Sequence, residues 1–138
     1  MTRRRVNIAL HWVQFALLLG LISTTAPTAP WAIAYGLVAL IWPAVAVVKG
    51  LHGRGGRKLA PVGKAIHQWH HRMLYALSAA SGAAAIAWSL GVPLALQYWL
   101  FLLFLVSNLH AVFHLWRHTA LLDGALRMIT PRALHKLL

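Results

Sequence analysis

The chain has 138 residues, 60% of them hydrophobic and 10% charged, with 13 Lys and Arg against one acid, Asp123, for a formal net charge of +12. So much apolar surface cannot be hidden inside one small globule, so the composition excludes an ordinary soluble domain and calls for a bilayer as solvent. The lack of cysteine excludes disulfides, thiolate nucleophiles, iron–sulfur ligation and sulfur-linked cofactors. Nucleic-acid binding is a poor account of the charge, because the basic residues form short clusters between long apolar runs. Membrane topology and contact with anionic lipid explain it better.

The apolar runs predict an all-α integral membrane protein, residues 1–138 forming one domain with a four-transmembrane-helix bundle. Each run approaches the ~20 residues that cross a hydrocarbon core of ~30 Å, and helices satisfy their own backbone in lipid. The first covers about 6–23, after Arg3, Arg4 and Arg5. That start resembles a signal peptide, but no convincing small-residue cleavage site follows, and His11 and Gln14 interrupt the apolar core. It is therefore read as a retained span. The second covers about 31–48. A basic loop follows, Lys49–Lys64, with Gly50, Gly53, Gly55, Gly56 and Pro61, and is expected to be flexible. The third span covers about 73–90, with a helical extension back to His67. The fourth covers about 93–116. The surface tail, 119–138, alternates cationic and apolar residues from Pro131 onward and is expected to end as a short helix on the membrane surface.

With four spans, every Lys and Arg falls on one side, and the opposite loops, Thr24–Pro30 and the turn around Gly91–Pro93, carry none. The positive-inside rule makes the basic side cytoplasmic, so both termini are expected in the cytoplasm of a cell whose inner (plasma) membrane holds the chain. Trp31, Trp88 and Trp99 fall near outer span ends and Trp69 and Trp116 near inner ends, as interfacial belts require.

Nine histidines carry the chemical information: His11, His52, His67, His70, His71, His110, His114, His118 and His135. All fall in the inner half or its loops. His11 and His110 lie well inside spans one and four, each roughly 8–9 Å below the inner edge at about 1.5 Å rise per residue. Polar residues inside a span are costly and mark function by default. Two imidazoles at matched depth on two helices suit one metal gripped from opposite faces, as in a low-spin b-type haem whose propionates reach a basic rim. The plainer alternative is an interhelical hydrogen bond at each site, worth about 1 kcal/mol. His110, His114 and His118 recur every four residues and share a helical face, the last two nearing the interface. His71, Tyr75, Ser78 and Gly82 share a face of span three, a stripe that suits close helix packing. Gln14, three residues from His11, is placed to bond a neighbouring helix, an imidazole or a quinone.

At these residues the chain resembles the bacterial cytochrome b561 family, which includes the membrane subunits of some hydrogenases and formate dehydrogenases. Ala9-Leu10-His11-Trp12 is similar to that family's first-span start, and His71-Arg-Met-Leu-Tyr75 followed by Ser81-Gly82 to its third span. Leu109-His110-Ala111, His118, then Asp123-Gly124-Ala-Leu-Arg127-Met128 is similar to its ending. The resemblance implies axial ligation of an inner haem by His11 and His110. The family's outer ligands are missing: the matching stretches read Trp31-Ala32-Ile33-Ala34-Tyr35 and Leu94-Ala95-Leu96-Gln97. The expectation is therefore one haem b, exchanging electrons with quinone or a redox partner protein, in a free-standing cytochrome, a homodimer or a subunit of a redox complex. Arg72 is the first choice for a propionate partner, with Arg117 and Arg127 behind it. His71 is assigned to a propionate or quinone carbonyl, or to the iron in place of His110.

Other functions compete. His67-Gln-Trp-His70-His71 and His110-x-x-x-His114 match two boxes of membrane di-iron desaturases, although a third box and acidic partners are missing and the order is reversed. A single zinc or copper site from the same cluster is a third option, and a non-catalytic anchoring subunit a fourth.

Overall fold

The protein is described here by a computed structural model covering residues 3–50, 56 and 58–137. Within the loop expected to be flexible, residues 51–55 and 57, His52, Arg54 and Arg57 among them, lie outside the described residues. The described residues form helices and turns with no strand. Four long helices follow in order: α1 (Arg3–Ser23), α2 (Ala29–Lys49), α3 (Pro61–Ser89) and α4 (Leu96–Thr119).

Local chemistry sets the boundaries. α3 begins on Pro61 and α2 carries Pro30 as its second residue; proline is preset for a first helical turn and has no amide to leave unpaired. The turn between α3 and α4 passes through Gly91 at φ +88, a conformation that suits a residue without a Cβ. The tail adds two 3-10 stretches, Ala125–Met128 and Arg132–Leu137, so the short helix expected at the end is a tighter one than an α-helix. Thr119–Gly124 reverses the chain between them and α4, with Leu122 at φ 50 and Gly124 at φ 70.

Three helices are long and apolar enough to cross a membrane: Arg4–Ser23, Ala29–Lys49 and Leu96–Thr119. α3 is the longest at 29 residues, but its first part carries Lys64, His67, His70, His71 and Arg72, so its apolar part is shorter. It begins at Pro61, six residues before the extension expected from the sequence.

Each helix packs on its chain neighbour and α4 also meets α1, which closes a four-helix ring. α2 and α3 approach most closely. A Cβ on Gly36 would lie 2.8 Å from the Gly82 carbonyl, and one on Gly82 would lie 3.0 Å from the Gly36 carbonyl. Two small residues let these backbones meet. Beside them a polar chain runs through three helices. Gln14 Nε2 donates to Ser78 Oγ at 2.8 Å, and Ser78 Oγ donates to the Ala39 carbonyl at 2.8 Å. The Tyr35 and Ser81 hydroxyls share a bond of 2.7 Å, and Ser81 Oγ reaches the Ser78 carbonyl at 3.1 Å. The stripe expected on α3 thus divides: Ser78 and Gly82 face α2, while His71 turns toward α4.

The buried apolar core is Leu18, Leu21, Ala32, Tyr35, Ala39, Ala84, Ala85, Leu96, Leu100 and Leu103. These residues come from the second halves of α1 and α3 and the first halves of α2 and α4, so they fill one end of the bundle. The histidines occupy the other.

Candidate functional site

α3 and α4 run antiparallel, so the start of α3 lies beside the end of α4. Histidines spaced four apart stand on one face of each helix, one turn above the other. His67 and His71 stack with ring centroids 4.1 Å apart, and His110 and His114 with centroids 4.3 Å apart. Across the helix pair, His71 lies 4.7 Å from His110 and 6.0 Å from His114, and His67 lies 5.6 Å from His114. His70 joins at 5.3 Å from His110. Five imidazoles therefore meet between two helices.

Backbone carbonyls orient two of these rings. His71 Nδ1 donates to the His67 carbonyl at 2.8 Å, which makes Nε2 its lone-pair nitrogen. His70 Nε2 donates to the Val106 carbonyl of α4 at 3.2 Å. Other ring nitrogens are buried with no hydrogen-bond partner among the described residues: Nδ1 of His67, Nδ1 of His110, and both nitrogens of His114. A buried polar atom left so costs about 1–3 kcal/mol. Burial, helped by the charges of His71 and Arg117, pushes His67 down to about 4, so its imidazole is neutral and carries a lone pair.

One ion pair closes this end. Arg117, 1% exposed, donates from Nε and Nη2 to Asp123 Oδ2 at 2.8 and 2.7 Å. Asp123 Oδ1 also accepts from the Ala125 amide at 3.0 Å, anchoring the first 3-10 stretch. Arg4, Trp12 and Lys58 tie the tail down. Arg4 donates to the Arg127 and Thr130 carbonyls at 2.9 and 3.1 Å, Trp12 Nε1 to the Ile129 carbonyl at 3.1 Å, and Lys58 to the Leu122 carbonyl at 3.2 Å.

The residues singled out from the sequence are distributed as follows. His71 and His110 are in the cluster. His11 is half-buried on α1, within electrostatic reach of His110, its ring edge-on to Trp12 at 5.8 Å. It makes no hydrogen bond among the described residues. Arg72 is exposed, its guanidinium 5.1 Å from the centroid of the Trp69 ring. It lines a shallow groove of about 320 Å³ with Pro43, Val47 and Tyr75, on the α2 side of α3. Arg127 is exposed on the tail. Gln14 bonds Ser78 instead of an imidazole.

His67 and His114 are the residues that sequence reasoning undervalued. Their signal was present as two His-x-x-x-His pairs, His67/His71 and His110/His114, on helices joined by a short turn. Arg117 was read as a rim cation, whereas it is buried on Asp123.

The donor set fits a metal of the imidazole-binding class. His11 and His110 stand on separate helices, α1 and α4, and His110 Nδ1 is buried with no hydrogen-bond partner among the described residues. The chain matches no known protein family, no curated protein and no solved structure.

Proposed function

We propose that this chain is a four-span membrane cytochrome of b561-like type, its termini and histidine end in the cytoplasm and one haem b held between His11 and His110. The observation that supports the reading is His110: an imidazole inside an apolar helix, with a buried nitrogen that has no hydrogen-bond partner among the described residues. A polar group left so in a membrane span is retained for a ligand more readily than for packing.

The four-span count rests on the apolar part of α3 together with the charge distribution, which puts every Lys and Arg on one side only if α3 crosses. The single haem is supported by the opposite end of the bundle. Ala32, Tyr35 and Leu96, in the stretches matching the family's outer ligands, are 0%, 0% and 3% exposed within the apolar core. These stretches also offer no histidine to a second haem.

Bound haem supplies one-electron chemistry, its iron cycling between ferric and ferrous states. The chain's own residues hold and shield it. His11 and His110 offer neutral imidazoles, the apolar helix faces exclude water, and the basic rim attracts anionic groups. The electron partner in this reading is a quinone or a redox protein meeting the cytoplasmic half.

The test is the visible spectrum of protein purified in mild detergent. His11→Ala and His110→Ala are each expected to abolish the Soret band, while His135→Ala leaves it unchanged. A spectrum that survives His11→Ala and disappears in His135→Ala contradicts the ligand assignment.

A further inference from the structure

We infer that His67, His71 and His114 form a second, non-haem metal site for a borderline transition-metal dication, Zn²⁺ being the probe of choice. One ring nitrogen from each of the three lies within 4.8 Å of the others. With metal–imidazole bonds of about 2.0–2.1 Å, ligand nitrogens around a tetrahedral ion stand roughly 3.4 Å apart, so small rotations of three side chains complete the set.

Three further observations point to a ligand and away from simple packing. His67 and His114 are 1% and 5% exposed, yet among the described residues His67 Nδ1 and both His114 nitrogens have no hydrogen-bond partner. Buried imidazole nitrogens are ordinarily satisfied. His71 donates Nδ1–H to the His67 carbonyl, the outer hydrogen bond that metal-bound histidines use to fix tautomer and ring direction. The only carboxylate nearby, Asp123, is engaged by Arg117, so the site presents neutral nitrogen donors. That chemistry selects zinc, copper, nickel or cobalt and disfavours calcium and magnesium, which need oxygen ligands.

The site shares no ligand with the His11/His110 pair, so it stands or falls separately from the haem reading. Three protein ligands leave a fourth position, which in zinc proteins of this pattern is taken by water or by a substrate group. Its place at the basic end puts that position near the membrane surface in the proposed topology.

The experiment is equilibrium dialysis of the purified full chain, carrying no histidine tag, against buffered Zn²⁺, with bound metal and haem measured together. One tightly bound Zn²⁺ per chain is expected. His67→Gln and His114→Gln should each weaken binding by about 100-fold or more, beyond the loss typical of an outer-shell change. His135→Ala should bind as the unaltered chain does. Haem content and helicity should stay unchanged in both glutamine variants, which separates loss of ligand from loss of fold. Three outcomes overturn the site: no stoichiometric Zn²⁺, binding indifferent to both glutamine variants, or haem lost together with zinc in His67→Gln.

Discussion

A buried charge is stable only while its partner is present, and Arg117 shows the consequence most plainly. It lies in the last turn of α4, fully enclosed, with Asp123 as its counter-ion. Removing the arginine leaves a buried carboxylate whose remaining partner among the described residues is the Ala125 amide. Arg117→Met is therefore expected to destabilise the folded chain by about 3–5 kcal/mol, read as a lowered melting temperature in detergent. Replacing both residues by apolar ones of similar size should recover most of that loss, because the desolvation of two charges then disappears as well. Spacing alone does not reveal this pair. Asp123 is six residues from Arg117, and only the reversal through Leu122 and Gly124 brings the two together. The same limit applies to His67 and His114. Spacing shows which residues share a helical face, but not which neighbour that face meets, so the sequence supports a metal site on these histidines only as one competing option. His11 and His110 stood out because the sequence places them inside apolar runs.

Helix packing adds two expectations. Gly36 and Gly82 allow α2 and α3 to touch backbone to backbone, and any side chain there collides with a carbonyl that cannot move alone. Gly82→Leu should cost about 1–3 kcal/mol through overpacking, measured by thermal unfolding of the detergent-solubilised protein. Ser78 joins three helices, accepting from Gln14 and donating to the Ala39 carbonyl. Ser78→Ala should cost about 1 kcal/mol. Once Ser78 is alanine, Gln14→Leu should cost much less than it does in the unaltered chain, because the glutamine has already lost its partner. A double-mutant cycle reads that coupling directly. The helical elements themselves were legible in the sequence, since apolar runs of this length have few other solutions. The start of α3 was less so. Its first turns carry no apolar run, and only Pro61 marks where the helix begins. The tail was legible as helical but not as 3-10, because that choice follows from Arg4, Trp12 and His135 bonding its carbonyls.

At the scale of the molecule the two ends divide their work. One end is a packed apolar core, and the other collects imidazoles, the ion pair and the basic segments. In the proposed topology the histidine end, which also carries the basic segments, faces the cytoplasm. With no native cysteine, single cysteines report the topology cleanly. Thr25→Cys, between α1 and α2, should react with an impermeant maleimide on intact cells, and Arg132→Cys only after lysis. The reverse pattern would invert the orientation. The central claim, one haem at one end, meets its most direct test in the haem-to-protein ratio of the purified chain, read from the reduced-minus-oxidised spectrum. A ratio of one haem per chain is expected. A ratio of zero, or of two, contradicts it.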